Sequence, residues 1–249
     1  MIVTPIKTDP IVLGALLFPV LDQFLPPLHN GDIVAITSKI ISICEGRIQA
    51  ITTEEEKQRV IREESERYID TELTRRYGFQ LTIAHNILIP NAGVDESNGN
   101  GQLILWPKDA MRTAQEVWEY LRKKFSLTRL GVIITDSHTT MLRKGTMGIG
   151  LSWCGFEALK NYIGTPDIFK RELRVTKSHV LDGLAASAVL VMGEGNEQTP
   201  MAVIQEAHNV VFQDHPPTRE EIQDIHIPVE LDLYAPLLLT VPWQKGGRS

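Results

Sequence analysis

The sequence predicts a protein of the α/β class, in which short buried strands mix with longer amphipathic helices. Residues 31–37 and 130–135 are apolar runs of strand length that are rich in Ile and Val. Residues 111–125 instead place their apolar side chains on one helical face. With 249 residues, 43% of them apolar, the chain is long enough to bury a large core.

In the first half of the chain we expect a strand at 31–37 and another at 48–51. Residues 53–77 are rich in Glu, Arg and Lys with apolar residues at mixed three and four spacing, which predicts one long solvated helix with Thr52 or Thr53 near its N-cap. A strand at 81–89 and another at 102–106, after the turn signal at 98–101, predict a hairpin. Its tip would carry Asp95 and Asn98.

In the second half, Asp109 is a good N-cap for the helix that precedes strand 130–135. That strand ends at Asp136. A glycine-bearing strand at 147–153 would let another backbone or a ligand come close. A helix is expected at 178–192, ended by Gly193, followed by a strand at 202–205. The chain closes with a polar tail at 244–249, which we expect to be mobile.

Composition excludes several classes of function. The 25 Lys and Arg against 31 Asp and Glu give a formal net charge of -6, and no basic cluster is present to track a nucleic acid. The apolar stretch at 11–20 is too short to span a bilayer and is interrupted by Gly14 and Pro19. Two distant cysteines fit a reducing compartment. We therefore expect a cytoplasmic protein without nucleic-acid or membrane partners.

Three carboxylates stand out, because Asp95, Asp136 and Glu194 each follow an apolar run and open into a loop of small and polar residues. Acidic groups at the edge of a core repel one another unless something positive lies among them, and a divalent cation with a phosphate is a common solution. Hard oxygen ligands favour magnesium or manganese over zinc or copper. Each acid alone could equally be a capping or surface carboxylate.

Neither a Walker phosphate loop nor a GxGxxG motif occurs in the chain. A nucleotide would therefore depend on the backbone amides of residues 193–196, on the side chains of Ser38 and Asn98, and on bridging metal ions. Arg143 and Lys144 could neutralise phosphate or carboxylate charge, or simply form a solvated turn. His138 could be a catalytic base, a substrate contact or an inert loop residue.

Several motifs occur in an order that resembles the coenzyme F420-0:L-glutamate ligase, or gamma-glutamyl ligase, family. The similarity spans roughly residues 2–213, which predicts a ligase domain at 1–213 and a C-terminal extension with a polar tail at 214–249. The motifs are Gly31-Asp32, Thr37-Ser38-Lys39, Glu45-Gly46-Arg47, Asn91-Ala-Gly-Val-Asp95-Glu-Ser-Asn98, Val132-Ile-Ile-Thr-Asp136-Ser137, and Leu190-Val-Met-Gly-Glu194 with Pro200.

The resemblance implies a mixed α/β fold particular to the family, a homodimer, and GTP-dependent amide formation between a substrate carboxylate and L-glutamate. It also implies two divalent ions, Mg2+ or Mn2+, with K+ assisting. Carried over by position, the implied metal ligands are Asp95, Asp136, Ser137 and Glu194. The implied nucleotide contacts are Ser38, Lys39, Asn98, and the stretch 192–199 that includes Met192, Gly193, Glu194, Gly195 and Asn196, with a looser match at Thr4 to Lys7. Asp136 and Arg143 are the predicted catalytic residues.

Two departures from the family pattern bear on the substrate. Ile43 stands where many relatives have a Lys, so one positive nucleotide contact is lost or is supplied by Lys39. After Ser137, members that act on deazaflavins usually continue with an aromatic-Gly-Arg-Pro sequence, whereas this chain has residues 138–143, His-Thr-Thr-Met-Leu-Arg. Branches that lack the deazaflavin-type loop are similar to this chain and extend folates, so both acceptors stay open.

Three hypotheses follow from the sequence. The first is a GTP- and metal-dependent γ-glutamyl ligase that acts on coenzyme F420-0 or a folate through an acyl phosphate. The second is a metal-dependent phosphohydrolase that uses the same acids. The third is a nucleotide-binding protein that has lost catalysis. Glutamate-dependent turnover separates the first from the other two.

Overall fold

The computed structural model describes residues 1–248, which form thirteen strands and eight α-helices and confirm the α/β class. The strands are β1 (Ile2–Ile6), β2 (Asp32–Thr37), β3 (Ile48–Ala50), β4 (Arg67–Ile69), β5 (Leu81–Ala84), β6 (Ile87–Pro90), β7 (Gln102–Ile104), β8 (Leu130–Thr139), β9 (Thr146–Cys154), β10 (Leu159–Asn161), β11 (Lys177–His179), β12 (Met201–Gln205) and β13 (Gln244–Lys245). The helices are α1 (Leu17–Phe24), α2 (Ser38–Glu45), α3 (Glu54–Glu64), α4 (Glu72–Tyr77), α5 (Ala110–Phe125), α6 (Val180–Met192), α7 (Arg219–Asp224) and α8 (Ala235–Leu238), with 3-10 turns at Asn91–Gly93 and Val229–Leu231.

A five-stranded mixed sheet, in the order β1-β12-β2-β8-β9, forms the centre of the molecule. Only the β2–β8 pair in it is parallel. The carboxyl ends of β2 and β8 therefore meet at one edge, where Thr37 lies beside Thr135. Strand β12 runs the other way and begins at the same edge, where the Thr37 N–H donates to the Pro200 carbonyl at 2.9 Å. Three segments of the chain thus meet at this edge.

The central sheet lies between two helical layers because successive strand residues point to opposite faces. Along β2, Val34 and Ile36 join a cluster with α1, α2 and α5, whereas Ile33 and Ala35 join one with α6. Strand β9 allows α6 to approach closely, because a Cβ at Gly150 would lie 2.4 Å from the Leu181 side chain. The predicted glycine-bearing strand is therefore confirmed, and the neighbour it admits is a helix.

A second sheet has the strand order β13-β4-β5-β6, and β3 and β7 form a separate two-stranded sheet. Neither is hydrogen-bonded to the central sheet through strand pairing. A further pair, β10-β11, precedes α6. No helix in residues 1–248 is long and apolar enough to cross a bilayer.

The predicted single helix over 53–77 is wrong. Thr53 does cap a helix, since its side chain accepts from the Glu56 N–H at 3.2 Å, but α3 ends before Ser65. Strand β4 follows and pairs with β5, which buries Ile69, and Thr71 then caps the short helix α4. Helical periodicity on either side of this strand resembles one continuous helix, and the tertiary pairing that interrupts it is not visible in the local pattern.

The predicted hairpin between 81–89 and 102–106 is also wrong. Residues 81–89 are themselves two strands, since His85 and Asn86 both have positive φ (50° and 60°) and form the tight turn between β5 and β6. Strand β7 pairs with β3 instead. A single bridge joins Asp95 to Ile104 and closes the loop that carries Asn98.

The polar C-terminal tail, which we expected to be mobile, makes defined backbone contacts through residue 248. Strand β13 pairs with β4, the Gly247 N–H donates to the Arg62 carbonyl at 2.9 Å, and the Arg248 N–H donates to the Ser65 carbonyl at 3.0 Å. The unpaired edge of β4 gives the tail its partner. Ser249, the last residue of the predicted tail, lies outside the described residues.

Candidate functional site

A cavity of about 430 Å³ opens at the edge where β2 and β8 end. Its wall combines the start of α2, the end of β8 and the loop that follows α6, and its rim includes Asn98. Of the predicted site residues, the structure brings Lys39, Asn98, Asp136 and Ser137 to the cavity lining. The whole predicted stretch 192–199 also lines it, including Met192, Gly193, Glu194, Gly195 and Asn196. Segments almost 160 residues apart in sequence therefore form one pocket.

Asp136 is presented by an irregularity in β8. The register between β8 and β9 shifts at Ile134 and Thr135, and such bulges redirect side chains at the ends of strands. Desolvation raises the pKa of Asp136 to about 6, although hydrogen bonds from the Trp106 indole and the Ser137 backbone and the charge of Lys39 oppose the rise. Asp136 is thus a partly buried acid whose ionised form depends on nearby donors and cations.

Lys39 supplies the positive charge that the acids require. Its ammonium lies 2.6 Å from Asp95 Oδ2 and donates to Ser97 Oγ at 2.8 Å. Burial acts to raise the pKa of Asp95, but the hydrogen bond and charge of Lys39 and the bonds from Ser97 outweigh it, so that the pKa lies below its usual value. In this structure, the positive charge that acts on both Asp95 and Asp136 is therefore the Lys39 ammonium.

Ser137 and Glu194 form the opposite side of the site. The Ser137 hydroxyl lies 2.8 and 2.9 Å from the two carboxylate oxygens of Glu194. Asn98 donates to the Gly195 carbonyl at 3.2 Å, which ties the 95–101 loop to the loop after α6. Gly193 has φ 78° and ends the helix as predicted, so that the polar loop turns across the cavity.

The donor set fits a hard divalent cation, although the three acids do not surround one point. Within residues 1–248, no group of three or more His, Cys, Asp or Glu side chains has metal-binding geometry. Mg2+ is commonly held by one or two carboxylates, with phosphate oxygens and water completing the shell. Asp136 and Glu194, with the Ser137 hydroxyl between them, offer oxygen donors of that kind on the cavity wall.

Three predicted residues lie outside the cavity lining. Ser38 is buried at the first position of α2, and Asp95 lies behind Lys39. Arg143 is exposed in the turn between β8 and β9, beyond His138. The roles that the resemblance gives to these residues stay predictions.

Sequence reasoning missed several lining residues and one contact to Asp136. Thr8 and the three residues that follow it line the cavity, just beyond the Thr4 to Lys7 match, and the Thr8 N–H donates to the Gln198 carbonyl at 2.9 Å. Trp106 was placed in a predicted strand, whereas its indole N–H reaches Asp136. A buried Trp side chain needs a hydrogen-bond acceptor for its indole N–H. That requirement is the feature of the sequence from which a polar partner of Trp106 could have been predicted.

Ile43 lines the cavity one helical turn after Lys39. Both residues lie on α2 and face the same space because residues four apart share a helical face. Position 43, where the resemblance implies a Lys, therefore contributes an apolar side chain to the wall. Lys39 supplies the remaining positive charge on this side, and that charge is paired with Asp95.

An acidic cavity bounded by helix and strand ends, with a polar loop across it, is typical of an α/β enzyme that binds small molecules. Residues 16–206 match the model of the family described as F420-0:Gamma-glutamyl ligase, and the chain belongs to that family of ligases.

Individual relatives agree with the family match. The chain is 34% identical over 198 residues to the coenzyme F420:L-glutamate ligase of Archaeoglobus fulgidus, covering 71% of this chain and 76% of that protein. It is 32% identical over 212 residues to the protein of the same name from Halobacterium salinarum, covering 76% and 79%. It is also 32% identical over 205 residues to the coenzyme F420:L-glutamate ligase of Methanocaldococcus jannaschii, covering 75% of this chain and 79% of that protein.

Proposed function

We propose that this protein is a GTP- and divalent-metal-dependent γ-glutamyl ligase that joins L-glutamate to the carboxylate of coenzyme F420-0 or of a folate. The observation that carries the proposal is the meeting of residues from four of the six family motifs in one cavity, with Asp136, Ser137 and Glu194 on its wall and Lys39 and Asn98 at its side. Two divalent ions, K+ and a homodimer, as the resemblance implies, belong to the same proposal.

The chemistry explains why a nucleotide is needed. An amine does not displace oxide from a carboxylate, so the acceptor oxygen first attacks the γ-phosphorus of GTP, and the bond from that phosphorus to the β–γ bridging oxygen breaks to release GDP. The acyl phosphate then reacts with the amino group of glutamate. The new C–N bond forms, the C–O bond to phosphate breaks, and the amine loses one proton to solvent or to a base.

The residues of the cavity have the properties that this sequence requires. Two anions, a triphosphate and a carboxylate, must approach each other, and a bound divalent cation would supply the positive charge that offsets their repulsion. Asp136, Ser137 and Glu194 would hold it, with Asp95 a candidate once Lys39 turns to phosphate. The backbone amides of 193–196 and the side chain of Asn98 would orient the nucleotide. Positioning and charge carry the catalysis, so no protein nucleophile is required.

Arg143 has a role in this proposal that its exposed position permits. It lies in the turn that follows Ser137 and His138, where relatives that act on deazaflavins carry a different sequence. A guanidinium there can bind the carboxylates of the acceptor or of glutamate. We therefore assign acceptor recognition to this turn, and the altered sequence makes a folate as strong a candidate as F420-0.

The test is a ligation assay with GTP, Mn2+, K+, radiolabelled L-glutamate and either coenzyme F420-0 or a reduced folate. GDP release and transfer of label to one acceptor are expected, with no GDP formed without an acceptor and no sustained turnover without glutamate. Asp136→Asn should abolish transfer. Asp32→Asn is the matched control, because Asp32 is a buried acid at the opposite end of β2 and accepts from the His29 backbone N–H and the Gln205 amide.

Transfer to neither acceptor, nor to a wider panel of carboxylates, would refute the ligase proposal. Phosphate release that does not depend on glutamate would indicate a phosphohydrolase. Tight GTP binding without turnover would indicate a nucleotide-binding protein.

A further inference from the structure

Trp106 is a buried side chain whose single polar atom is directed at the acid in the cavity. The residue is 4% exposed, and its indole N–H donates to Asp136 Oδ2. Trp106 itself does not line the cavity. A hydrogen bond to one carboxylate oxygen fixes the plane of the carboxylate and leaves the other oxygen available for a ligand. Trp106 therefore acts on the site through Asp136.

Gly93 and His85 pack against the indole. Gly93 packs so closely that a Cβ there would lie 2.1 Å from the Trp106 ring, and the His85 ring lies 5.5 Å from it, centroid to centroid. Residues 91–93 all have positive φ, so the Asn-Ala-Gly segment of the family motif forms a left-handed turn against the ring. This close approach explains why the motif has a glycine at position 93.

A chain of ion pairs joins the backbone of Trp106 to the C-terminal tail. Arg47 donates from Nε to the Trp106 carbonyl at 3.1 Å and from Nη2 to Glu64 at 2.7 Å. Arg248 donates to the same Glu64 oxygen at 2.6 Å and its other guanidinium nitrogen contacts His85. The tail thus reaches Trp106 by two routes, through Arg47 and through the His85 imidazole, which packs against the indole at a tilt of 57°.

We propose that Trp106 is a positioning residue that orients the Asp136 carboxylate for cation binding, and that Arg248 of the C-terminal tail holds Trp106 in place through Glu64, Arg47 and His85. The cation part of this inference rests on the proposed function. Arg248 lies beyond residues 16–206, the part that matches the family model. The tail thus supports the site from outside the part of the chain that matches the family model.

The first test reads the contact itself, without metal or substrate. The chain has four Trp residues, so a protein labelled with 15N-tryptophan gives four indole N–H signals. The Trp106 signal, assigned by its loss in Trp106→Phe, should move strongly in Asp136→Asn and measurably in Arg248→Ala. The Trp118 signal is the internal control, because its N–H donates to the Leu130 carbonyl at the far end of β8 at 2.8 Å. An unmoved Trp106 signal in Asp136→Asn would overturn the contact.

The second test measures Mn2+ affinity by electron paramagnetic resonance and determines kcat and KM separately by steady-state kinetics. Trp106→Phe should weaken Mn2+ binding about 10-fold or more and lower kcat, since partners of metal ligands typically contribute 10- to 100-fold. Trp118→Phe loses a comparable buried hydrogen bond and should leave Mn2+ affinity unchanged. Arg248→Ala should weaken Mn2+ binding by about 3-fold. The effect is smaller because Arg248 reaches Asp136 only through other residues and Trp106. Arg67 lies on β4 outside this chain of contacts, so Arg67→Ala should leave Mn2+ affinity unchanged.

Equal Mn2+ affinity in Trp106→Phe and Trp118→Phe would overturn the positioning role. An Arg248→Ala variant with an unmoved Trp106 signal and unchanged Mn2+ affinity would overturn the role of the tail. If the wild-type protein gives no ligation product, the proposed function fails, and the indole signals still decide whether Trp106 and Arg248 act on Asp136.

Discussion

Replacing Asp136 by Asn should make the metal-free protein less sensitive to pH, because the wild-type carboxyl is held where its charge is unfavourable. The folded pKa is about 6 and the ordinary value is 3.8, a rise of about 2 units caused mainly by burial. A raised acid pKa means that the folded state binds protons more tightly than the unfolded state. The folded state is therefore most stable, with respect to this group, below about pH 4, where Asp136 is protonated in both states. That stability is lost as the pH rises through the folded pKa of about 6.

The size of the effect follows from the shift. One pKa unit corresponds to 1.36 kcal/mol, so the group costs up to about 3 kcal/mol of folding stability at pH 7, of which about 2 kcal/mol develops between pH 4 and pH 7. For a chain of this length that difference corresponds to roughly 4–8 °C in Tm. Asn does not titrate, so Asp136→Asn should not show this loss, while ligase activity falls by roughly 100-fold or more.

The assay is urea unfolding of wild type and Asp136→Asn at several pH values between 4 and 7, in the presence of a chelator. The difference between the two unfolding free energies cancels the titration of all other groups, and it should change by about 2 kcal/mol in favour of Asn as the pH rises. Mn2+ at pH 7 should then stabilise the wild type and not the variant. A difference that stays constant across this pH range would refute the reasoning, because it would mean that the carboxyl is not desolvated.

Further predictions concern the neighbours of this acid. Lys39→Met should lower activity at least about 10-fold and stability by about 1 kcal/mol, measured by steady-state kinetics and urea unfolding, whereas Lys57→Met breaks an ion pair in the same loop region without reaching the cavity and should keep activity. Gly93→Ala should destabilise by about 1–3 kcal/mol and reduce kcat because its Cβ meets a ring, while Gly101→Ala, with positive φ but open space, should lose only about 1 kcal/mol and keep kcat. Ile43→Lys should lower the GTP Kd in calorimetry and destabilise the nucleotide-free protein; an unchanged Kd would exclude position 43 from the nucleotide site.

The sequence predicted the central elements well because their signals are local. Strands at 31–37 and 130–135 and the Asp109 N-cap of α5 are confirmed, as is the end of α6 at Gly193. A buried strand has an apolar run, and a helix end has a capping residue, whatever surrounds it.

What the sequence could not predict depends on pairing across the fold. The strand Arg67–Ile69 is three residues long, and it is a strand only because β5 and β13 flank it. The pairing of the tail depends on the same strand, since β13 pairs with β4. Lys39 as the partner of Asp95, and Trp106 as the donor to Asp136, join residues that are 56 and 30 positions apart, and no spacing rule marks such pairs.

The most direct test of the central claim uses an acceptor whose carboxylate carries 18O at both oxygens, incubated with GTP, Mn2+, L-glutamate and the wild-type enzyme. If the acceptor oxygen attacks the γ-phosphorus in the cavity beside Asp136, one 18O appears in each phosphate released as the amide forms. Phosphate that contains no 18O, released while glutamate is joined to the acceptor, would contradict activation by phosphoryl transfer and with it this account of the site.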